Sequence, residues 1–252
     1  MKTITFVGNG NMALSIAKGL KERYKIEVVG RNIQNLQKFE KELGVTIQKH
    51  SLENFDMSQK SIILCIKPAN VEEVGTKLQG KAEVIYSVLA GTLIKKLRTH
   101  FATTAVIRTM PNLAASVGKS MTTLTGDDDY KEEAQLLFNA IGTTRWLGSE
   151  KEIDIATALA GSGPAYLALI AESLADGAVK QGLKRDDAMS IMRGLFDGFG
   201  TLIQETHPAL LKDGVMSPGG TTAAGYCALE EGNVRSACVN AIEKAYKRAT
   251  EL

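Results

Sequence analysis

Over its first 150 residues the chain alternates short β-rich runs with helical stretches, a pattern that few folds accommodate. The strand candidates are Thr3–Val7, Ile26–Val29, Val45–Gln48, Ser61–Ile66, Glu83–Val88 and Ala105–Met110. A first helix is expected from Met12 to about Tyr24. "SMTTLT" and "TTRWL", on either side of a helix from about Asp128 to Ala140, supply two further strand candidates. Near-continuous apolar strands separated by helices predict a parallel sheet covered on both faces. From Asp154 onward the pattern changes. "IATALAGSGPAYLALIAESLADGAVKQGL" is apolar around most of its faces, and no convincing strand run follows it.

The loop after the first strand reads Gly8-Asn9-Gly10-Asn11-Met12-Ala13, which is G-x-G-x-x-A in a strand–turn–helix setting. Gly8 permits a tight turn, Gly10 lets a pyrophosphate approach the backbone, and Ala13 keeps helix and sheet close. A tight turn with no ligand is the competing explanation for the glycines alone. With its surroundings the motif predicts an α/β chain with a Rossmann-type N-terminal domain, residues 1–150, followed by an all-helical domain, residues 151–252. The junction is placed near 148–153. The breadth of apolar surface on Ala156–Val179 predicts that this helix is buried between subunits.

Cofactor choice is read at the end of the second strand, where NAD sites usually carry an acid for the ribose 2′-hydroxyl. Here Arg31 and Asn32 stand there instead, with no acid following, so a 2′-phosphate and hence NADPH is favoured over NADH. Lys67-Pro68, Ala90-Gly91-Thr92 and Met110-Pro111-Asn112 follow three further strands and are expected to border the nicotinamide end of the cleft.

A second glycine-rich segment, Ser217-Pro218-Gly219-Gly220-Thr221-Thr222, precedes a run of helix formers. Pro and Gly predict a turn, and Thr221 and Thr222 stand where a helix is capped. Bare N–H groups at such a helix start attract an anion, while a ligand-free cap is the plainer alternative. Ser162 and Pro164 fit the start of the long apolar helix.

Composition excludes several classes. A net charge of +2 gives no general attraction to nucleic acid or acidic membranes. Apolar runs of only several residues fall short of the roughly 20 that span a bilayer. The odd set Cys65, Cys227 and Cys238 has no CxxC spacing, which indicates a reduced, cytoplasmic protein. His50, His100 and His207 are widely separated, so no metal site is expected.

These motifs together resemble the pyrroline-5-carboxylate reductase family, and the resemblance runs essentially from end to end. It is carried by Gly8–Met12, Ile66-Lys67-Pro68, Ala90-Gly91, Met110-Pro111-Asn112, Gly161-Ser162-Gly163-Pro164-Ala165-Tyr166, His207-Pro208 and Ser217–Thr222. The GSGPAY and SPGGTT segments are its specific parts. The resemblance implies reduction of 1-pyrroline-5-carboxylate to L-proline by hydride transfer from NAD(P)H, in a homodimer that assembles further into decamers.

It also implies that the substrate carboxylate sits on the N–H groups of Gly220, Thr221 and Thr222, with Ser217 in the same loop. The Thr222 hydroxyl, the one catalytic side chain assigned, would face the ring nitrogen. By the same resemblance Glu150 corresponds to an acidic position near that nitrogen, and Glu205 is a comparable candidate. Both equally fit solvated charges. The chain departs from the family at Gly214, which leaves no polar contact from that position. Two other readings compete: a related reductase acting on another cyclic imino acid or a 3-hydroxyacid, the latter disfavoured because Lys180 lies far along the helix, and a protein that binds NADP(H) without turnover.

Overall fold

A computed structural model describes residues 1–251. The chain opens with strand β1 (Thr3–Val7), helix α1 (Asn11–Leu20), β2 (Lys25–Gly30), α2 (Ile33–Leu43), β3 (Gln48–Ser51) and the short β4 (Phe55–Asp56). It continues with β5 (Ser61–Leu64), α3 (Val71–Gly75), the short β6 (Leu78–Gln79), β7 (Ala82–Ser87), α4 (Ile94–His100) and β8 (Thr103–Met110). β9 (Ser120–Gly126), α5 (Lys131–Asn139), β10 (Gly142–Trp146) and α6 (Glu150–Ala156) follow.

Eight strands form one sheet in the order β10-β9-β8-β7-β5-β1-β2-β3, while β4 and β6 pair separately. Every pairing in the large sheet is parallel except β8 with β9. Adjacent residues point to opposite faces, which explains the unbroken apolar runs. Phe6, Val28, Ile63, Val84 and Ile107 enter one core with Ile16, Leu36 and Phe39. Val7, Val29, Ile62, Ile85 and Val106 enter the other with Val71, Leu97 and Phe101. A sheet buried on both faces has no polar side to show, so alternation is lost.

Two expected boundaries move. The third strand is Gln48–Ser51 and not Val45–Gln48, because pairing with β2 begins where Gln48 meets Glu27. As an edge strand it tolerates the polar sequence QKHS. Helix α1 stops at Leu20, four residues before the expected Tyr24, and Tyr24 N–H still bonds back to Leu20 O at 2.9 Å.

Chain contacts divide the molecule into two compact units, Met1–Ser162 with Lys244–Leu252, and Gly163–Glu243. In the first unit α6 packs on β8 and β9 and is followed by a π-helical turn, Thr157–Gly161. Ser149 caps α6, its Oγ accepting the Glu152 N–H at 3.2 Å, an S-x-x-E signature at the helix start.

The second unit is helical: α7 (Gly163–Lys180), α8 (Arg185–Glu205), α9 (Pro208–Gly214), α10 (Thr221–Glu231) and most of α11 (Val234–Thr250). α7 and α8 pack on one another, yet each buries a single residue, Ala175 and Ala188. Leu167, Leu169 and Leu174 on α7 and Ile191, Leu195, Phe199 and Leu202 on α8 stay between 46% and 65% exposed. Apolar surface this broad needs a cover, which matches the burial between subunits expected of this region. The protein is expected to sediment as a dimer or larger, and a stable monomer at micromolar concentration would contradict that.

The continuous helical run Glu150–Lys180 is long and apolar enough, by length and composition only, to cross a bilayer, which the short apolar runs of the sequence did not suggest. Its first turns are pinned instead to the sheet. Asp154 on α6 accepts from the buried Arg108 of β8 at 2.5 Å.

Candidate functional site

The sheet order reverses between β1 and β5, and a cleft of about 410 Å³ opens beyond the strand ends at that point. In open α/β sheets ligands lie at such reversals, beyond the carboxyl ends of the strands. Gly8, Asn9, Gly10, Arg31, Cys65, Ile66, Lys67 and Asn70 line it, so residues separated by some 60 positions meet there. Burial pushes the Cys65 thiol above the usual cysteine range.

The glycines have distinct jobs. Gly8 lies at φ +107°, and a Cβ there would stand 2.3 Å from the Cys65 carbonyl oxygen, so only glycine joins β1 to the cleft. A Cβ at Gly10 would meet nothing within 4 Å, because that face is open. Gly10 is the N-cap of α1 and provides no side-chain acceptor, and the first intrahelical bond runs from Leu14 N–H to Gly10 O at 3.0 Å. Among the described residues, the N–H groups of Asn11, Met12 and Ala13 therefore have no acceptor. Together with the positive helix end they form an anion cradle suited to a pyrophosphate.

The other predicted cofactor residues divide. Lys67 is exposed at the mouth, ahead of Pro68, which opens a short 3-10 turn. Ala90 and Gly91, the latter at φ +65°, turn the chain after β7. Asn32 is the N-cap of α2, its Oδ1 accepting the Asn35 N–H at 3.1 Å. Asn112 holds its own loop: Oδ1 accepts from Ala114 N–H at 3.1 Å, and Nδ2 donates to the π-turn carbonyl of Ala160 at 3.0 Å. Both asparagine side chains are thus engaged in shaping the backbone.

Arg31 brings a partner that the local sequence does not announce. Its Nη1 stands 3.3 Å from Glu73 Oε1 on α3, and the same carboxylate oxygen lies 3.2 Å from Lys77 Nζ. Lys77 also pairs with Glu53 at 3.0 Å, and these bonds to Glu53 and Glu73 hold its ammonium above the usual lysine range. No acid follows β2 in sequence, but the fold supplies one from 42 residues away.

Glu150 is likewise occupied. Its Oε1 accepts from Ile94 N–H at 2.8 Å, at the start of α4, and from Arg108 Nη1 at 3.2 Å. With Asp154 it completes a charge cluster around a fully buried guanidinium. The signal for this cluster was a lone arginine inside the apolar strand "AVIRTM".

In the second unit, Ser217–Gly220 is a turn closed by Gly220 N–H to Ser217 O at 3.0 Å, with Gly219 at φ +71°. Proline second and a positive-φ glycine third are the requirements of a type II turn. The N–H of Gly220, expected to face the substrate carboxylate, donates to Ser217 O within this turn. Gly220, rather than either threonine, is the N-cap of α10, and it offers no side-chain acceptor. Thr221 and Thr222 occupy the first two helical positions and are exposed. Ala224 N–H makes the first intrahelical bond, to Gly220 O at 3.2 Å. The free donors, among the described residues, are Thr221, Thr222 and Ala223, one step along from those expected.

These motifs have relatives across the whole chain. A soybean (Glycine max) pyrroline-5-carboxylate reductase is 37% identical over 99% of this chain and 96% of its own. One from Thermus thermophilus is 33% identical over 99% and 98%.

The chain belongs to the pyrroline-5-carboxylate reductase family.

The family described as "Pyrroline-5-carboxylate reductase dimerisation" matches residues 150–252. The one described as "NADP oxidoreductase coenzyme F420-dependent" matches residues 3–91. Among solved structures, the 1-pyrroline-5-carboxylate reductase of Streptococcus pyogenes superposes with a TM-score of 0.86 at 30% identity, over 99% of this chain and 98% of that one. The Plasmodium falciparum enzyme, with NADP bound, gives 0.82 at 25% identity over 99% and 97%. The α/β domain followed by a helical dimerisation domain is thus the family's architecture.

Proposed function

We propose that this protein reduces 1-pyrroline-5-carboxylate to L-proline with NADPH as the favoured donor and NADH as a weaker one, the last step of proline biosynthesis. The observation that carries this reading is the pairing of two glycine-capped helix starts with open N–H groups, at α1 and α10, in a chain related end to end to reductases of that name. One cradle suits a cofactor pyrophosphate, the other a substrate carboxylate.

In this reading Gly8 and Gly10 shape the first cradle, Asn9 lies beside it, and the N–H groups of Asn11 and Met12 hold the pyrophosphate. Arg31 takes the 2′-phosphate, with Asn32 fixing the start of α2. Ile66, Lys67, Pro68, Ala90, Gly91 and Asn112 shape the nicotinamide end. A bound nicotinamide supplies the hydride. Ser217 and Gly220 shape the second cradle, while Thr221 and Thr222 donate to the substrate carboxylate and the Thr222 hydroxyl orients the ring nitrogen. Positioning of this kind needs no nucleophile. Glu150 is the acidic position near the substrate's ring nitrogen by the family resemblance, held in place by Ile94 N–H and Arg108. The working division is a cofactor domain over residues 1–150 and a dimerisation and substrate domain over 151–252, with α6 and the π-helical turn of the latter packed in the sheet unit. The enzyme works in the cytoplasm as a homodimer, with further assembly to a decamer.

The test is a spectrophotometric assay of reduced-nicotinamide oxidation with 1-pyrroline-5-carboxylate, run with each cofactor. Imine-dependent oxidation, faster with NADPH, is expected; cofactor binding without it would leave only a nucleotide-binding protein. Thr222→Ala removes one substrate hydrogen bond of roughly 1–3 kcal/mol, so kcat/KM is expected to fall about ten- to hundredfold with NADPH affinity unchanged. Unaltered kinetics would remove Thr222 from the site.

A further inference from the structure

The charges around Arg31 suggest how cofactor preference is moderated. Arg31 is about half exposed at the cleft mouth, and its guanidinium already has an anionic partner in Glu73. A 2′-phosphate drawn to Arg31 must share the guanidinium with that carboxylate. Glu73 does not depend on Arg31, because the same oxygen that faces Arg31 at 3.3 Å faces Lys77 at 3.2 Å. Lys77 is the less exposed cation and is anchored on its other side by Glu53 at 3.0 Å. If Arg31 swings toward a phosphate, Glu73 keeps a counter-ion.

We propose that Glu73 is a specificity-determining residue that competes with the cofactor 2′-phosphate for Arg31, an ion-pair exchange in which Lys77 retains Glu73. The inference rests on the reading of Arg31 as the 2′-phosphate ligand. A cofactor without that phosphate leaves the Arg31–Glu73 pair intact, so Glu73 lowers affinity for NADPH alone and narrows its advantage over NADH. An acid directly after β2 would contact the ribose; one borrowed from α3 acts only through the arginine. The pair is exposed and solvent-screened, so its competition is modest.

The experiment is calorimetric titration of 2′,5′-ADP and of 5′-AMP into the wild type, Arg31→Ala, Glu73→Gln and the double variant, at low and high salt. Arg31→Ala is expected to weaken 2′,5′-ADP and leave 5′-AMP nearly unchanged. Glu73→Gln is expected to tighten 2′,5′-ADP by about three- to tenfold at low salt, less at high salt, with 5′-AMP within about twofold. In the Arg31→Ala background that gain should vanish. If Arg31→Ala affects both nucleotides equally, the reading of Arg31 fails and the inference with it. If Arg31→Ala discriminates but Glu73→Gln does not, or its gain survives without Arg31, the exchange is overturned while Arg31 keeps its role.

Discussion

Asp154→Ala is expected to destabilise the protein by roughly 3–5 kcal/mol, the cost of leaving a buried charge without its partner. The Arg108 side chain is 0% exposed, and its two terminal nitrogens reach Asp154 at 2.5 Å and Glu150 at 3.2 Å. Its Nε has no partner among the described residues, so the guanidinium has little in reserve. Removing Asp154 leaves it with the more distant and more exposed Glu150. Urea unfolding monitored by circular dichroism measures the loss, and a change below about 1 kcal/mol would mean that water replaces the carboxylate. Combining Asp154→Ala with Arg108→Met should recover most of the stability, because the charge is then gone as well. The cluster joins β8, α4 and α6, which explains why α6 stays with the sheet although it is helical like everything after it.

Gly8→Ala and Gly10→Ala are expected to fail in different ways. At Gly8 the backbone lies at φ +107° and the new methyl would sit 2.3 Å from the Cys65 carbonyl oxygen. Strain of about 1–3 kcal/mol and a similar amount for the overlap should lower stability and close the loop to cofactor together. At Gly10 the methyl meets no protein atom within 4 Å, so stability should change by no more than about 1 kcal/mol, the cost of a poorer N-cap. The methyl would instead project into the open space of the cleft that Gly10 lines, where the pyrophosphate is expected, and NADPH affinity should drop at least about tenfold. Thermal unfolding with and without NADPH separates the two. A Gly10→Ala protein that binds NADPH normally would show that no phosphate approaches that backbone.

Much of this molecule is legible locally. The positions of the strands, the turn at Gly8 and the turn at Ser217–Gly220 follow from residue type, since they depend on nearest-neighbour sterics and on apolar runs. Misplacements were of a few residues. Val45–Gln48 reads as a strand because Val45, Thr46 and Ile47 are all β-branched, whereas the ladder that defines β3 starts at Gln48. Threonine after the glycines reads as a cap, yet Gly220 takes that place because its backbone is extended and its carbonyl accepts the Ala224 N–H.

Other features arise from distance in sequence. Arg31 reads as a free cation beside the cofactor, but 42 positions on the chain supplies Glu73. Arg108 is an unremarked residue of a strand until Asp154, 46 positions later, is folded against it. Asn32 and Asn112 read as cofactor-site residues, and only their hydrogen bonds show that their side chains serve the backbone.

The sequence by itself determined the α/β-then-helical order, the cofactor-type glycine loop and the second bare-amide helix start, because each is a property of a few consecutive residues or of a hydrophobic period. Tertiary structure alone decided which carboxylates meet Arg31 and Arg108, and that α6 belongs with the sheet. Those outcomes depend on charge pairs and hydrogen bonds between segments far apart along the chain, and no local propensity encodes which distant partner arrives.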